Sequence, residues 1–320
     1  MSATIDIPVE QRDEFECFGS RCTLIVADAR VSDAERAVAQ ARRRLLEWHA
    51  QFSRFEAGSE LTRLNHAREE TVAVSPMMRR VVQAAIESAA ATDGLVDPTL
   101  VGEIEQAGYA SHFEGDGLPL AVALALADDR EPGRPAVAAR WRSVRTDRRT
   151  GTVTRPPGVR IDAGGIAKGV FADELATLLA GYDAFVVDCG GDMRLGGRLG
   201  ITREVHVASP FDDSILHTFA LAGGGVASSG IGRRSWLDSG GRPAHHLLDP
   251  ASGRPAFTGI VQVTALAPTA TEAESLSKAA LLSGPQRAER VLVHGGAIVL
   301  DDGNFVVLER DPGRALVRPY

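Results

Sequence analysis

Short β-rich runs follow one another through the second half of this 320-residue chain, with only two helical stretches among them, at about 168–180 and 271–283. A doubly wound α/β sheet needs a helix after nearly every strand. Here strands pair with strands, so the sequence predicts an α+β protein. The apolar run Ala184–Val187 reads as one strand, and the segment RVLVHGGAIVLDDGNFVVLER as a strand set turning at Asp301-Asp302-Gly303. In the first half, residues 15–27 read as a strand interrupted by Gly19, and 33–50 have helical periodicity. Ser75-Pro76 opens a helix through Ala91, and Thr92-Asp93-Gly94 stops it. Residues 97–127 look helical and irregular, and 128–139 read as a loose surface loop. A hairpin turning near Arg149-Thr150-Gly151 follows.

Hydrophobic residues at 44% and charged residues at 24% are ordinary globular usage and exclude a wholly disordered chain. A net charge of -7 disfavours nucleic acid or an anionic membrane as partner, since both demand a basic surface. Three cysteines, Cys17, Cys22 and Cys189, make no disulfide framework and read as small buried hydrophobes. No apolar run approaches the roughly 18 residues of a membrane span. The acidic start lacks the pattern of a signal peptide. The expected location is the cytoplasm.

Four stretches carry chemistry. Ile161 to Gly169 (IDAGGIAKG) leads two glycines into a helix, so free backbone N–H groups can face an anion; it lacks the spacing of a P-loop. Asp188-Cys189-Gly190-Gly191-Asp192 ends an apolar strand in a Gly-rich turn, a common place for a ligand. In Ala244-His245-His246-Leu247-Leu248-Asp249-Pro250, only one of two adjacent histidines can enter a site, because neighbours on a strand face opposite ways. A histidine with an aspartate three residues on fits an oriented general base. In Thr271 to Lys278, Glu274 and Lys278 share one helix face, and alone would read as a solvent-exposed ion pair. Each stretch alone also has a plain structural reading, as a turn, a satisfied histidine or a surface pair.

Their order and spacing together resemble the ApbE family, the FAD:protein FMN transferases. Phe18-Gly19-Ser20 is similar to the family's Met-Gly-Thr turn. Phe52-Ser53-Arg54-Phe55, Ser59-Glu60-Leu61 and Leu64-Asn65 match its next segment, and Asp93 to Thr99 resembles "DGaFDPT". Ile161–Gly169 matches "IDlGGIAKG", Asp188–Asp192 "nlGGD", Ala227–Gly230 "aTSG", His246–Gly253 "HiiDPrTG", and Ala273–Leu281 "ADalsTalL". The resemblance implies antiparallel, T-fold-like sheets packed with helices. It places one domain over 15–285, containing the helical segment of about 75–127, after a tail at 1–14. Residues 286–320 would add strands to the same domain.

The implied reaction moves FMN from FAD to a threonine or serine hydroxyl of a flavoprotein acceptor and releases AMP. The resemblance gives His246 the role of base, with Asp249 orienting it. It places FAD against Gly19, Ser20, Phe55, Asp97, Thr99, Asp162, Gly164, Gly165, Lys168, Gly190, Gly191, Asp192, Ser229 and Gly230. It implies a divalent metal, usually Mg²⁺, held by Glu274 and the backbone of Ala163. The family's Asp and Thr ligands are here Glu274 and Lys278. Three outcomes are open: Glu274 holds the metal while Lys278 turns away, Lys278 replaces the ion, or the site is inactive. A non-catalytic FAD-binding relative and an FAD pyrophosphatase are the alternatives to transfer.

Overall fold

Eight strands form one antiparallel sheet in which spatial order equals chain order. They are β1 (Val9–Cys17), β2 (Ser20–Asp28), β3 (Ala184–Cys189), β4 (Asp192–Gly196), β5 (Gly224–Gly230), β6 (Ile260–Ala267), β7 (Gly296–Leu300) and β8 (Phe305–Leu308). The computed structural model describes residues 9–112, 117–127, 129–212 and 214–309. Every neighbouring pair of the sheet is antiparallel, as an α+β fold requires. Four longer helices are α1 (Val31–Phe52), α2 (Pro76–Ala91), α3 (Ala167–Leu179) and α4 (Ala270–Ser283). Helix α1 packs on β1 and β2, α3 on β3 and β4, and α4 on β5 and β6.

Strand β3 shows why this sheet reads as continuous apolar sequence. Phe185, Val187 and Cys189 face the helices, while Val186 packs with Val205, Val207 and Phe219 of a hairpin (Arg203–Ala208 and Ile215–Leu221) on the other side. A strand covered on both faces has no reason to alternate. The three cysteines are free and buried, with Cys22 opposite Cys189 on the β2–β3 pair.

Helix ends fix the angle at which α3 meets α4. The Asp173 carboxylate of α3 accepts hydrogen bonds from Ala270 N and Thr271 N at 2.9 Å each. An anion there satisfies two otherwise unpaired donors and complements the helix dipole. Gly169 allows the close approach: a Cβ on it would lie 2.7 Å from Ala270 O. Helix α2 starts as expected, with Ser75 Oγ accepting from Met78 N at 3.1 Å ahead of Pro76.

Three expectations change. Residues 15–27 are not one interrupted strand but the facing ends of β1 and β2, because Phe18 (φ 56°) and Gly19 (φ 64°) are both left-handed and close a two-residue hairpin. The expected tail at 1–14 gives way to strand from Val9 onward. Its charged residues suit an exposed sheet edge, which hid the strand from a hydrophobic reading. The segment around 128–139 has no helix or strand among its described residues, yet it is tied down: Gly133 N donates to Leu282 O at 2.7 Å and Glu131 N to Phe257 O at 3.0 Å. After residue 285, the helix Pro285–Val291 leads into β7 and β8, which extend the same sheet. Among the described residues, no helix is long and apolar enough to cross a membrane.

Candidate active site

A cleft of about 1200 Å³ opens where the β1–β2 turn, the β3–β4 turn, the start of α3 and the face of α4 converge. It exceeds the usual range for a drug-sized ligand, roughly 300–1,000 Å³, and so has room for a dinucleotide. The turns bring backbone to its surface. Gly190 (φ 74°) and Gly191 (φ 95°) are left-handed, and a Cβ on Gly190 would lie 2.5 Å from Ser20 Cβ. Asp188 Oδ1 accepts from Gly191 N at 2.7 Å and fixes this turn. Burial pushes the Asp188 carboxyl up to about 6, against the pull of that hydrogen bond. Asp162 Oδ1 does the same for the other glycine pair, accepting from Gly164 N at 2.7 Å.

Charge is concentrated at the meeting of α3 and α4. Lys168 forms a hydrogen-bonded ion pair with Asp192, which is 1% exposed and has no other hydrogen-bond donor among the described residues. Burial alone would pull the Lys168 ammonium down, but the charges of Asp192 and Glu274 outweigh it and raise it. Glu274, fully buried on α4, accepts from Gly169 N at 2.8 Å through Oε2 and from Lys278 Nζ at 2.9 Å through Oε1. The Lys278 stem lies over the glycine turn, its Cε 3.8 Å from where a Gly165 Cβ would be. Behind them, Ser229 and Ser277 share a hydrogen bond of 2.7 Å.

His246 lines the cleft, and its Nδ1 is buried without a hydrogen-bond partner. Burial holds its imidazole well below the usual histidine range, helped by the nearby charges of Arg234, His245, Lys278 and Lys168. It is therefore neutral at pH 7 and able to accept a proton. His245 points the other way, buried at 1% exposure with its ring against Phe257 at 4.8 Å. The strand Pro243–His245 ends there, and His246 follows it in a bend.

The opposite wall is aromatic. Phe55, Tyr109 and His112 line it, with the Arg54 guanidinium 4.4 Å from the Phe55 ring centre and 4.8 Å from that of Tyr109. Tyr109 stacks on Trp236 at 5.6 Å. Such planes suit a flat conjugated ligand. Arg54 also approaches Asp162 at 3.7 Å, tying the aromatic wall to the glycine turn.

Most expected FAD-contacting residues meet at this cleft: Gly19, Ser20, Phe55, Asp97, Asp162, Gly164, Gly165, Lys168, Gly190, Gly191, Asp192, Ser229 and Gly230. Thr99 does not; it is buried behind Asp97, whose carboxylate accepts its N–H at 2.8 Å. Asp249 is also absent from the cleft wall. Its Oδ1 accepts from Arg134 N at 2.6 Å and its Oδ2 from Ser252 N at 3.1 Å. The three-residue spacing from His246 enters a tight hairpin at Leu248–Pro255, which turns the carboxylate toward its own loop. Asp249→Ala should thus cost about 0.5–2 kcal/mol of stability, as a lost cap does, and leave turnover within a few-fold. A collapse of turnover at unchanged melting temperature would restore the orienting role. Sequence reasoning missed Arg54, Tyr109, His112, Trp236 and Arg234; only Arg54 carried a signal, inside the FSRF segment.

The residues expected to hold a metal do not fit one. Both Glu274 oxygens are engaged, one by an ammonium. The Ala163 carbonyl accepts from Ile166 N at 3.1 Å and Ala167 N at 2.8 Å, which occupies both lone pairs. Among the described residues, no group of three or more His, Cys, Asp or Glu is placed to hold an ion. A divalent cation there would meet a fixed positive charge and no free ligand set.

The family model described as ApbE matches residues 18–299. The chain belongs to the ApbE family. A FAD:protein FMN transferase of Salmonella typhimurium is 26% identical over 271 residues, spanning 82% of this chain and 73% of that protein. One from Escherichia coli K12 is 30% identical over 149 residues, 45% of this chain and 42% of that one. The crystal structure of the ApbE protein from Thermotoga maritima superposes with a TM-score of 0.76 at 26% identity, covering 95% of this chain and 97% of its own. The flavin transferase ApbE from Vibrio cholerae gives a TM-score of 0.71 at 22% identity, covering 94% and 98%. Both superpositions span most of the chain and show that the fold is shared.

Proposed function

We propose that this chain is an FAD:protein FMN transferase, moving FMN from FAD to a hydroxyl of a flavoprotein acceptor and releasing AMP. The observation that carries the reading is the juxtaposition of a neutral His246 imidazole, its Nδ1 unpartnered, with a cluster of fixed cations in a dinucleotide-sized cleft. The aromatic wall takes the isoalloxazine or adenine ring. The glycine turns meet the pyrophosphate with backbone N–H groups, and Lys168 with its ammonium. His246 takes the proton of the acceptor hydroxyl as its oxygen attacks the flavin-side phosphorus. The bond to the bridging oxygen breaks, and that oxygen leaves on AMP. Positioning and charge neutralisation do most of the work in such a transfer.

The test is incubation of the protein with FAD and a flavoprotein bearing an acceptor threonine, read by acceptor mass and free AMP. One added FMN per acceptor with equal AMP supports transfer. AMP and free FMN without a mass gain would instead identify an FAD pyrophosphatase. FAD binding with neither product would identify a non-catalytic relative.

A further inference from the structure

The Lys278 ammonium stands at the mouth of the glycine turn that opens α3, and it is anchored from below. Its partner Glu274 is 0% exposed, and that carboxylate is itself fixed by the Gly169 N–H. Lys278 is 12% exposed and lines the cleft, so the charge held by this foundation faces the ligand space. Its stem crosses Gly165 at van der Waals distance, which sets the ammonium beside the backbone of the turn. Lys168 lines the same cleft, paired with Asp192. Each ammonium is neutralised on its buried side by one carboxylate and open on the other.

We propose that Lys278 is a built-in cation for the pyrophosphate, taking the place of a divalent metal, so that this chain binds and turns over its dinucleotide without one. The inference rests on the transferase reading for the identity of the ligand. A lysine ammonium donates to phosphate oxygens as a point charge and needs no coordination geometry. The Lys278 ammonium also balances the charge of the buried α4 carboxylate of Glu274.

The experiment measures binding of FAD, ADP and riboflavin by titration calorimetry, each in EDTA and in Mg²⁺. The same titrations are run on Lys278→Met and Lys278→Arg, with melting temperatures alongside. The wild type should bind FAD equally with EDTA or Mg²⁺ and, in a parallel incubation with the flavoprotein acceptor, release AMP in EDTA. Lys278→Met should weaken FAD and ADP by about tenfold to a hundredfold, the range for a hydrogen bond to a charged group, while riboflavin, which lacks phosphate, is unaffected. Lys278→Arg keeps the cation and should keep most of the FAD affinity, which preserves the test if the methionine variant does not fold. Loss of wild-type FAD binding or AMP release in EDTA, restored by Mg²⁺, would overturn the inference and leave the transferase reading standing. Equal loss of riboflavin and FAD in Lys278→Met would assign the lysine a merely structural role and overturn it too. Failure of the wild type to bind FAD under either condition would remove the transferase reading, and this inference with it.

Discussion

His246→Ala is expected to lower FMN transfer by about 10²–10⁴-fold, the usual contribution of a positioned general base, with FAD affinity nearly kept. The imidazole faces the cleft, and its Nδ1 has no partner in the fold to lose. The other groups around it are the cations Arg234, Lys278 and Lys168, and His245, whose ring packs on Phe257 away from the cleft. Because burial and those charges hold its titration well below 6.5, kcat/KM should stay flat through mildly acidic pH and fall only below the ordinary histidine range. The neighbouring His245 is the control. It is buried to about the same end, with its titration pushed down to about 3 by burial, but it packs on Phe257 away from the cleft. His245→Ala should cost stability and leave the chemistry alone. Both histidines are neutral when folded and take protons more readily when unfolded. Their contribution is therefore present above about pH 6.5 and is lost as the pH falls. Transfer at wild-type rate by His246→Ala would end the general-base assignment.

How far the sequence exposes this site depends on how local each part is. The glycine turns were legible because left-handed backbone and helix starts leave marks within a few residues, as at Gly190-Gly191 and Ile161–Gly169. The Glu274–Lys278 spacing was legible too, but its meaning was not. A pair four apart on a helix reads as a surface salt bridge, whereas β5 and α3 close over this one and leave Glu274 fully buried. The aromatic wall joins Phe55, Tyr109 and Trp236 from three separated segments, and no periodicity links them. Asp249 misled for the opposite reason. Proximity in sequence suggested contact with His246, and a hairpin of two-residue strands reversed its direction. Strand β1 was hidden by its charges, which only its edge position explains.

Lys168→Met should destabilise the fold by about 3–5 kcal/mol, because it strands a buried carboxylate. Asp192 is 1% exposed and has no other donor among the described residues, so the Lys168 ammonium is the partner that compensates its burial. Surface pairs give far less, but Lys168 is itself only 17% exposed and sits in the first turn of α3, where its stem cannot swing to solvent. The second variant decides the mechanism. Asp192→Asn placed on Lys168→Met removes the uncompensated charge and should recover most of the loss. The coupling between the two positions should exceed about 1 kcal/mol in denaturant unfolding, as expected of contacting residues. FAD binding should not recover with it. The double variant regains a satisfied interior but still lacks an ammonium facing the pyrophosphate, so stability and affinity should part company. That separation is what a binding lysine predicts and a purely structural one does not. A Lys168→Met protein that unfolds within 0.5 kcal/mol of wild type, roughly the scatter of an ordinary surface substitution, would mean that Asp192 finds another partner and that the pair does not hold this wall.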